Sequence, residues 1–308
     1  MKLSFASTIH KIQGMTLTNI VLSMKSMFAP GMAYVGLSRV TALDGLTIRD
    51  FDCKKPGIFC NDEIEEFLQQ MKSVNLDKIR PINHLVSESK IVVIHQNVEG
   101  LSNHINGIMK HSQISKSSIF IATETWLEEK HSTENVTIPN FTAYHTYRSA
   151  CQFYAANECR KGGVSCYVKQ HIDHEYLNII DSIENIAVYI CDFNCLIIGI
   201  YRAPLYPISI FVENLCILLG SPQLIRASNV IVVGDLNEDL NVTQNRPIFN
   251  AFSFHGFKQI IRGNTTRGGT LLDVIYFRGN NDVQSGVLQS WYSYHEPIYI
   301  VCDKYETN

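Results

Sequence analysis

An aspartate and an asparagine, two residues apart, end an apolar run in the C-terminal half of the chain. The run is Asn229-Val-Ile-Val-Val-Gly-Asp-Leu-Asn237, and its consecutive β-branched residues are typical of a buried strand. Gly234 lets the backbone turn, so Asp235 and Asn237 are expected at the C-terminal edge of that strand. Oxygen atoms at such an edge could bind a cation or orient a water for hydrolysis. A simple Asx turn remains the alternative for this segment alone.

The same pattern, an apolar strand followed by a carboxylate, amide or other polar group, recurs through residues 90–303. The further polar residues at expected strand ends are Asn97, Glu99, Glu124, Tyr201, Asp273 and His295. Each of them has an ordinary structural explanation when it is taken singly, because a tyrosine at a strand end usually packs and a lone histidine is usually a surface group. Their joint occurrence favours one shared site.

The elements that must position these side chains are short strands with few helices between them. We predict strands at 91–97, 118–123, 141–148, 162–169, 186–191, 195–201, 229–235, 271–277 and 297–302, and helices at 102–111, 209–219 and 249–254. This alternation over about 210 residues favours an α/β fold with two stacked sheets and helices outside, of one domain's size. Residues 76–89, polar and proline-containing, are predicted to be a linker.

Residues 1–75 form a separate small α/β unit in this interpretation. It has a strand at 19–23, a short helix opened by Pro30, a strand at 46–51 and a helix capped by Asn61 or Asp62. The unit is too short to bury a good core alone.

Composition and charge exclude several classes of protein. The chain has 308 residues, of which 45% are hydrophobic and 18% charged, as in an ordinary soluble protein. Apolar runs are far shorter than the roughly 20 residues that span a bilayer, and no signal-peptide layout is present, so an intracellular protein that is not secreted is expected. Nine cysteines without a CxxC pair indicate reduced thiols. Residues 90–303 are not basic, so a nucleic-acid surface there would need local patches, for which Arg148, Arg202 and Arg267 are candidates.

Two segments near the N-terminus resemble the last motifs of PIF-type and RecD-like superfamily-1 DNA helicases. The segments are Thr8-Ile-His-Lys-Ile-Gln-Gly-Met-Thr16 and Tyr34-Val-Gly-Leu-Ser-Arg-Val40. The resemblance implies that Gln13 and Thr16 face nucleotide and DNA, and that Arg39 stabilises charge on the transferring phosphate. The chain contains no G-x-x-x-x-G-K-[ST] sequence, so no autonomous ATP site is expected. We expect the chain to be part of a larger protein, as in a truncated gene model or a degraded element.

Seven segments, in order across residues 90–303, resemble the endonuclease/exonuclease/phosphatase family of DNase I, exonuclease III and apurinic endonucleases, and most closely the endonucleases of non-LTR retrotransposons. They are Gln96-Asn-Val-Glu-Gly-Leu101, Glu124-Thr-Trp-Leu127, Gly162-Gly-Val-Ser-Cys-Tyr-Val168, Tyr201-Arg-Ala-Pro204, Gly234-Asp-Leu-Asn237, Leu272-Asp-Val-Ile275 and Ser293-Tyr-His295. The resemblance implies a four-layered α/β sandwich, in which two stacked mixed sheets are flanked by helices.

The resemblance also implies a hydrolytic site with divided roles. Glu124 would be the principal ligand of Mg²⁺ or Mn²⁺, with Asn97 and Glu99 beside it. Asp235 would align the attacking water with help from Asn237. Tyr201 and His295 would hold the scissile phosphate, and Asp273 would fix the tautomer of His295 and favour its charged form.

One position departs from the family pattern. The family carries S-D-H where this chain has Ser293-Tyr-His295, so a neutral phenol replaces a carboxylate on the metal side of the site. Metal affinity or turnover is therefore in question, and Glu99 or Glu296 are candidates to compensate.

A helicase segment followed by a retrotransposon-type endonuclease resembles the C-terminus of the replicase of Helitron-class transposons, specifically the Helentron variant. This implies DNA as the shared substrate and a nuclear protein. Two alternatives stay open: a phosphoesterase of the same fold acting on an inositol-phosphate or sphingomyelin-type ester, and a decayed element that folds and binds DNA without catalysis.

Overall fold

The structure of the chain, a computed structural model, describes residues 8–12, 14–25, 31–51, 87, 89–130, 133–148, 151 and 161–303. The chain separates into two units, residues 1–75 and 76–308. The predicted helix that follows Asn61 and nearly all of the predicted linker lie outside the described residues.

The first unit, as far as it is described, is a two-stranded parallel sheet with one short helix. Its elements are β1 (Ile20–Ser23), α1 (Met32–Leu37) and β2 (Leu46–Arg49), with 3-10 turns at Ile9–Ile12 and Leu43–Gly45. Leu22, Met24 and Ala33 are buried together, whereas Val21 and Ile48 on the same sheet are exposed. Among the described residues of this unit, the buried core consists of these three side chains.

The second unit contains twelve further strands and five further helices among its described residues. In chain order these are β3 (Lys90–Asn97), α2 (Leu101–Lys110), α3 (Ser112–Lys116), β4 (Ile119–Thr123), β5 (Phe141–Thr146), β6 (Val164–Lys169), β7 (His174–Leu177), β8 (Glu184–Ile190), β9 (Cys195–Tyr201), α4 (Ile208–Leu219), α5 (Pro222–Arg226), β10 (Asn229–Asp235), α6 (Pro247–Phe254), β11 (Lys258–Gln259), β12 (Asp273–Arg278), β13 (Val283–Val287) and β14 (Ile298–Asp303). None of the described helices has the length and apolar character needed to cross a bilayer.

The strands form two mixed six-stranded sheets. One has the order β13-β14-β3-β4-β6-β5 and the other β11-β12-β10-β9-β8-β7. Each contains one parallel pair near its centre, β3 with β4 and β10 with β9, and the remaining neighbours are antiparallel. The central strands therefore end at one edge of each sheet, which is where the polar residues of the sequence patterns are found.

Alternation along the central strands explains the layering. On β3, Ile91 and Val93 face the core between the sheets, whereas Val92 and Ile94 pack with Leu101 and the rest of α2 on the outer face. On the opposite side, residues of α4 and α6 pack against the second sheet. The result is helix, sheet, sheet, helix, which confirms the predicted four-layered α/β sandwich. Burial of both sheet faces is the reason that these strands are continuously apolar.

Two local expectations change. Gly234 does not end its strand but lies within β10, where a Cβ would collide with the carbonyl oxygen of Ile200 on the neighbouring strand. Close strand approach is therefore the reason for glycine at this position. The short strands β7 and β13 were not predicted from the sequence, since their residues are polar or half-buried and carry little apolar alternation.

Candidate active site

Strand register brings three of the predicted site residues into one row across the second sheet. Asp235, the last residue of β10, is paired with Tyr201 on parallel β9 and with Asp273 on antiparallel β12. All three side chains are at most 3% exposed. The row lies at the edge where β9 and β10 end and β12 begins, so Asp235 has neighbours that lie more than thirty positions away in sequence on either side.

The first sheet contributes Asn97, the last residue of β3, and Glu124, directly after β4. The Asn97 amide Nδ2 donates to Asp235 Oδ2 at 2.9 Å and to Glu124 Oε1 at 3.1 Å. Asn97 Oδ1 accepts the backbone N–H of Glu99 at 3.1 Å, and this bond fixes the orientation of the amide. One amide therefore bridges the carboxylates of the two sheets, and Glu124 and Asp235 face the same site.

His295 completes the site from the loop before β14. Its Nδ1 lies 2.8 Å from Asp273 Oδ2 and 3.9 Å from Asp235 Oδ2. Burial alone lowers the pKa of His295, but the hydrogen bond and charge of Asp273, with the charges of Asp235 and Glu99, outweigh burial and raise the pKa to about 9. His295 is therefore an imidazolium at neutral pH. Its positive charge also reduces the electrostatic repulsion between the buried carboxylates of Asp235 and Asp273.

Asp235 is held in a fixed orientation. Its Oδ1 accepts the backbone N–H of Asn237 at 3.0 Å, and its Oδ2 accepts Asn97. Burial and then the Asp273 carboxylate raise the pKa of Asp235, although His295, Asn97 and Asn237 counteract them. A buried carboxylate with a raised pKa is a better proton acceptor than an ordinary aspartate. The side chain of Asn237 itself donates to the carbonyl oxygen of Arg202 at 2.8 Å.

Tyr201 connects the row of the second sheet to Glu124. Its hydroxyl donates to Glu124 Oε1 at 2.6 Å, and the second oxygen of Glu124 accepts the indole N–H of Trp126 at 3.3 Å. Burial and the Glu124 carboxylate raise the pKa of Tyr201, so the phenol stays protonated and remains a donor.

Backbone strain is concentrated around these groups. Among the described residues other than glycine, eight have positive φ, and four of them surround the site: Glu99 (47°), Glu124 (52°), Trp126 (56°) and Asn237 (50°). Left-handed conformations of this kind cost free energy and persist where the surrounding structure enforces them, which is common at functional sites.

The donor set fits a hard divalent cation. The carboxylates of Glu124, Asp235 and Asp273 lie at the site, and oxygen ligands are those that Mg²⁺ and Mn²⁺ prefer. Asp235, Asp273 and His295 also have ligand-type atoms within 4.8 Å of one another. We interpret those three as a hydrogen-bonded group, because His295 Nδ1 is engaged with Asp273 and the imidazolium would repel a cation. Glu124, which is only partly buried, is the better placed ligand.

Asn97, Tyr294 and Glu296 are each candidates for the metal side of the site, and their contacts differ. The nitrogen of the Asn97 amide, and not its oxygen, faces the carboxylates, so Asn97 as placed orients carboxylates, and its role as a cation ligand stays a prediction. The Tyr294 phenol is 44% exposed. Glu296, a candidate to compensate for it, accepts the backbone N–H of Ser290 with its carboxylate.

The three arginines expected to contact nucleic acid have different environments. The Arg148 side chain is 6% exposed and forms an ion pair with Glu184 at 2.9 Å. Arg202 is buried and donates to the carbonyl oxygens of Tyr206, Leu236 and Asn237. Because both side chains are buried, they are poorly placed to contact a phosphate. Their hydrogen bonds indicate that they stabilise the loops around the site. Arg267 is exposed, with one donor on the Ser290 carbonyl oxygen.

Sequence reasoning missed the support behind Tyr201. Glu184 on β8 pairs in register with Tyr201 and accepts hydrogen bonds from Arg148 and from the backbone N–H of Gly163, while the Arg148 guanidinium lies 5.6 Å from the Tyr201 ring centroid. Burial raises the pKa of Glu184 to about 7 against the opposing influence of Arg148. Glu184 starts a strand and has no motif around it, so no sequence signal marked it.

In the first unit, Leu17, which directly follows the first helicase-like segment, pairs with the backbone of the second segment. The N–H of Leu17 donates to the Arg39 carbonyl oxygen at 2.8 Å, and Leu17 and Val40 form a parallel bridge. Thr16 is exposed, and the Arg39 guanidinium donates to Val35 O in α1 and to Ser38 Oγ directly after this helix. Gln13 lies outside the described residues. The nucleotide and DNA roles of these three residues remain predictions.

Sequence comparison finds helicases. The chain is 36% identical over 89 residues to the ATP-dependent DNA helicase PIF1 of Danio rerio and 39% identical over 80 residues to that of Homo sapiens. These matches cover 29% and 25% of this chain but only 14% and 12% of the helicases. No family model matches the chain.

Comparison with solved structures finds nucleases. An AP endonuclease from Archaeoglobus fulgidus superposes with a TM-score of 0.54 at 14% identity, over 69% of this chain and 99% of that one. The endonuclease domain of TRAS1, a telomere-specific non-LTR retrotransposon, gives 0.51 at 13% identity, over 70% and 99%. A 3'-5' exonuclease from Neisseria meningitidis gives 0.51 at 13% identity, over 69% and 100%. These likenesses confirm the DNase I-like fold, and the chain thus combines a helicase-like segment with a nuclease-like fold.

Proposed function

We propose that residues 90–303 are a divalent-metal-dependent endonuclease that hydrolyses phosphodiester bonds in DNA. The observation that carries the proposal is the convergence of Glu124, Asp235 and His295, from two sheets and a loop, with Asn97 and Asp273 joining them through hydrogen bonds of 2.8–3.1 Å. A convergence of this kind provides a cation ligand, a proton acceptor and a cationic donor around one small volume.

The residues divide the work of hydrolysis between them. Glu124 would hold a divalent cation, which would supply positive charge to offset the negative charge that develops on the phosphoryl oxygens and the leaving group. Asp235, fixed by Asn97 and the Asn237 N–H, orients the attacking water and takes its proton. His295, kept charged by Asp273, donates to a non-bridging phosphate oxygen. Tyr201 donates its one hydroxyl proton to Glu124 and would keep that carboxylate oriented.

DNA as the substrate is supported by the helicase-like segment in the same chain. The helicases of the comparison act on DNA, as their names state, and the chain spans only about an eighth of their length. We infer that the chain is part of a transposon protein of Helitron type, acting in the nucleus, in which a strand-tracking module and a nicking module use the same DNA. ATP hydrolysis is not expected of this segment, since it has no phosphate-binding lysine motif.

The test is a nicking assay on the full chain with supercoiled plasmid. We expect conversion to the open circle with Mg²⁺ or Mn²⁺ and none with a chelator present. The matched control is Asp235→Ala, for which a rate reduction of about a hundredfold or more is expected, in the range that loss of a general base causes. Nicking equal in the two proteins would refute the assignment.

A second candidate follows from Tyr294, which stands beside His295 where the resemblance predicts an aspartate. With one carboxylate fewer, the protein could fold and bind DNA without turnover. Binding of a labelled oligonucleotide together with absent nicking by the wild-type chain would favour this candidate. Hydrolysis of a phosphomonoester or an inositol phosphate, but not of DNA, would indicate a phosphoesterase with a different substrate.

A further inference from the structure

Glu99 reaches from the end of β3 to the loop that carries His295. Its backbone is left-handed, with φ of 47°, and its own N–H donates to Asn97 Oδ1. Its carboxylate Oε2 accepts the backbone N–H of Tyr294 at 2.7 Å and the hydroxyl of Ser293 at 3.1 Å. Both donors belong to the segment directly before His295, almost two hundred residues away in sequence.

Ser293 extends this connection to both sides. Its hydroxyl also lies 2.8 Å from the carbonyl oxygen of Asn97, and it accepts the backbone N–H of His295 at 3.1 Å. The hydroxyl has one proton, so it donates to Asn97 O or to Glu99 at any moment. Ser293 is 2% exposed, and a buried set of bonds such as this one restricts the backbone at its ends. The position of His295 therefore depends on Glu99 and Ser293.

The backbone and the side chain of Tyr294 make different contacts. The backbone N–H is bonded to Glu99, whereas the half-exposed phenol lies against Gly268 and offers no carboxylate to the site. A carboxylate from position 99 thus contacts the loop in which the resemblance predicts an aspartate at position 294. The contact is made with the loop backbone, and it does not require the side chain at position 294.

We propose that Glu99 is a positioning residue for His295, which holds the Ser293–His295 loop through its carboxylate, and is not a ligand of the metal. The proposal rests on the proposed function for its effect on catalysis, but the hydrogen bonds exist whether or not the protein is a nuclease. Glu124 then remains the principal protein ligand, with its carboxylate on the Tyr201 side of the site.

Reach and charge can be separated by two substitutions at position 99. Glu99→Asp keeps the charge but shortens the side chain by one C–C bond of about 1.5 Å, which would lengthen the 2.7 Å contact with the Tyr294 N–H to about 4 Å. Glu99→Gln keeps the length and an acceptor oxygen but removes the charge. An anchor needs the reach, whereas a metal ligand needs the charge. Aspartate also tolerates a left-handed backbone well, so backbone strain would not explain a loss in Glu99→Asp.

The experiment measures amide hydrogen exchange in residues 290–296, binding of Mn²⁺ by calorimetry, and nicking kinetics, all on the full chain. Glu99→Asp is expected to speed exchange of the Tyr294 amide about tenfold or more and to lower kcat about tenfold, with Mn²⁺ affinity within about threefold of wild type. Glu99→Gln is expected to keep exchange of the Tyr294 amide within about threefold of wild type. Glu129→Gln, an exposed charge removal, is the control, and Glu124→Gln is the reference for lost metal binding.

The reverse order overturns the proposal. If Glu99→Gln weakens Mn²⁺ binding tenfold or more, as Glu124→Gln is expected to do, while Glu99→Asp retains it, Glu99 is a metal ligand. An unchanged exchange rate of the Tyr294 amide in Glu99→Asp also overturns the proposal, because the Glu99 hydrogen bonds would then not stabilise the loop. If the wild-type chain fails to nick DNA, the proposed function fails, but the exchange measurements still decide the role of Glu99.

Discussion

Replacing Asp273 by asparagine tests the charge state of His295, on which the proposed phosphate contact depends. Asp273→Asn preserves shape and removes the negative charge 2.8 Å from His295 Nδ1. Burial, which lowers the pKa of His295, would then be opposed only by Asp235 and Glu99. We expect the pKa of His295 to fall from about 9 toward its ordinary value of 6.5. At pH 7.5 the protonated fraction would drop from about 97% to about 10%, a tenfold loss of the donor form.

The kinetic consequence depends on pH. Nicking by Asp273→Asn is expected to be about tenfold slower than wild type at pH 7.5 and to approach the wild-type rate at pH 5.5, where a pKa of 6.5 leaves about 90% of His295 protonated. The measurements are an NMR titration of the His295 imidazole and a pH–rate profile. Asp282→Asn, an exposed charge removal before β13, is the control. A His295 pKa that stays near 9 in Asp273→Asn, or a deficit that is the same at both pH values, would refute the reasoning.

The same group links stability to pH. The folded pKa of about 9 lies above the unfolded 6.5, so the stabilisation is fully present below pH 6.5 and is lost as pH rises through 9. The separation of the two values corresponds to about 3 kcal/mol. Tryptophan fluorescence during urea unfolding reports only the second unit, because Trp126 and Trp291 are the only tryptophans of the chain. The stability difference between wild type and Asp273→Asn should be larger at pH 6 than at pH 10.

Three other substitutions give distinct outcomes. Glu124→Gln should abolish the rise in melting temperature that Mn²⁺ gives the wild-type protein and reduce nicking about a hundredfold or more, and retention of both would exclude Glu124 as the principal ligand. Arg148→Met should lower the free energy of unfolding of the second unit by about 3–5 kcal/mol in urea, because it leaves Glu184 buried without its ion partner. The double variant with Glu184→Gln should recover much of that loss. No recovery would contradict the pairing of the two residues. Tyr294→Asp should increase nicking several-fold at limiting Mg²⁺, since it adds a carboxylate beside His295, and an unchanged Mg²⁺ dependence would show that position 294 does not influence the cation.

The sequence by itself determined the strands and the layering of the second unit. Continuous apolar runs such as 91–94 and 230–233 are stable only in strands whose sheet is covered on both faces. The polar residues that end these runs mark one edge of a sheet. For this reason Asp235, Asp273 and His295 could be predicted to share a site, although strand order and register, which place Asp235 opposite both Tyr201 and Asp273, are visible only in the structure.

Tertiary structure decided what each polar side chain contacts. Arg148 and Arg202 are residues of the type that forms a DNA-binding patch, but their side chains are buried. Arg148 pairs with Glu184, and Arg202 donates to carbonyl oxygens of other segments. Glu99 has the sequence context of a metal ligand, yet its carboxylate meets the loop before His295. Local sequence fixes secondary structure through short-range sterics and hydrophobic spacing, whereas the partner of a charged group is set by residues that only the folded sheets bring within about 3 Å.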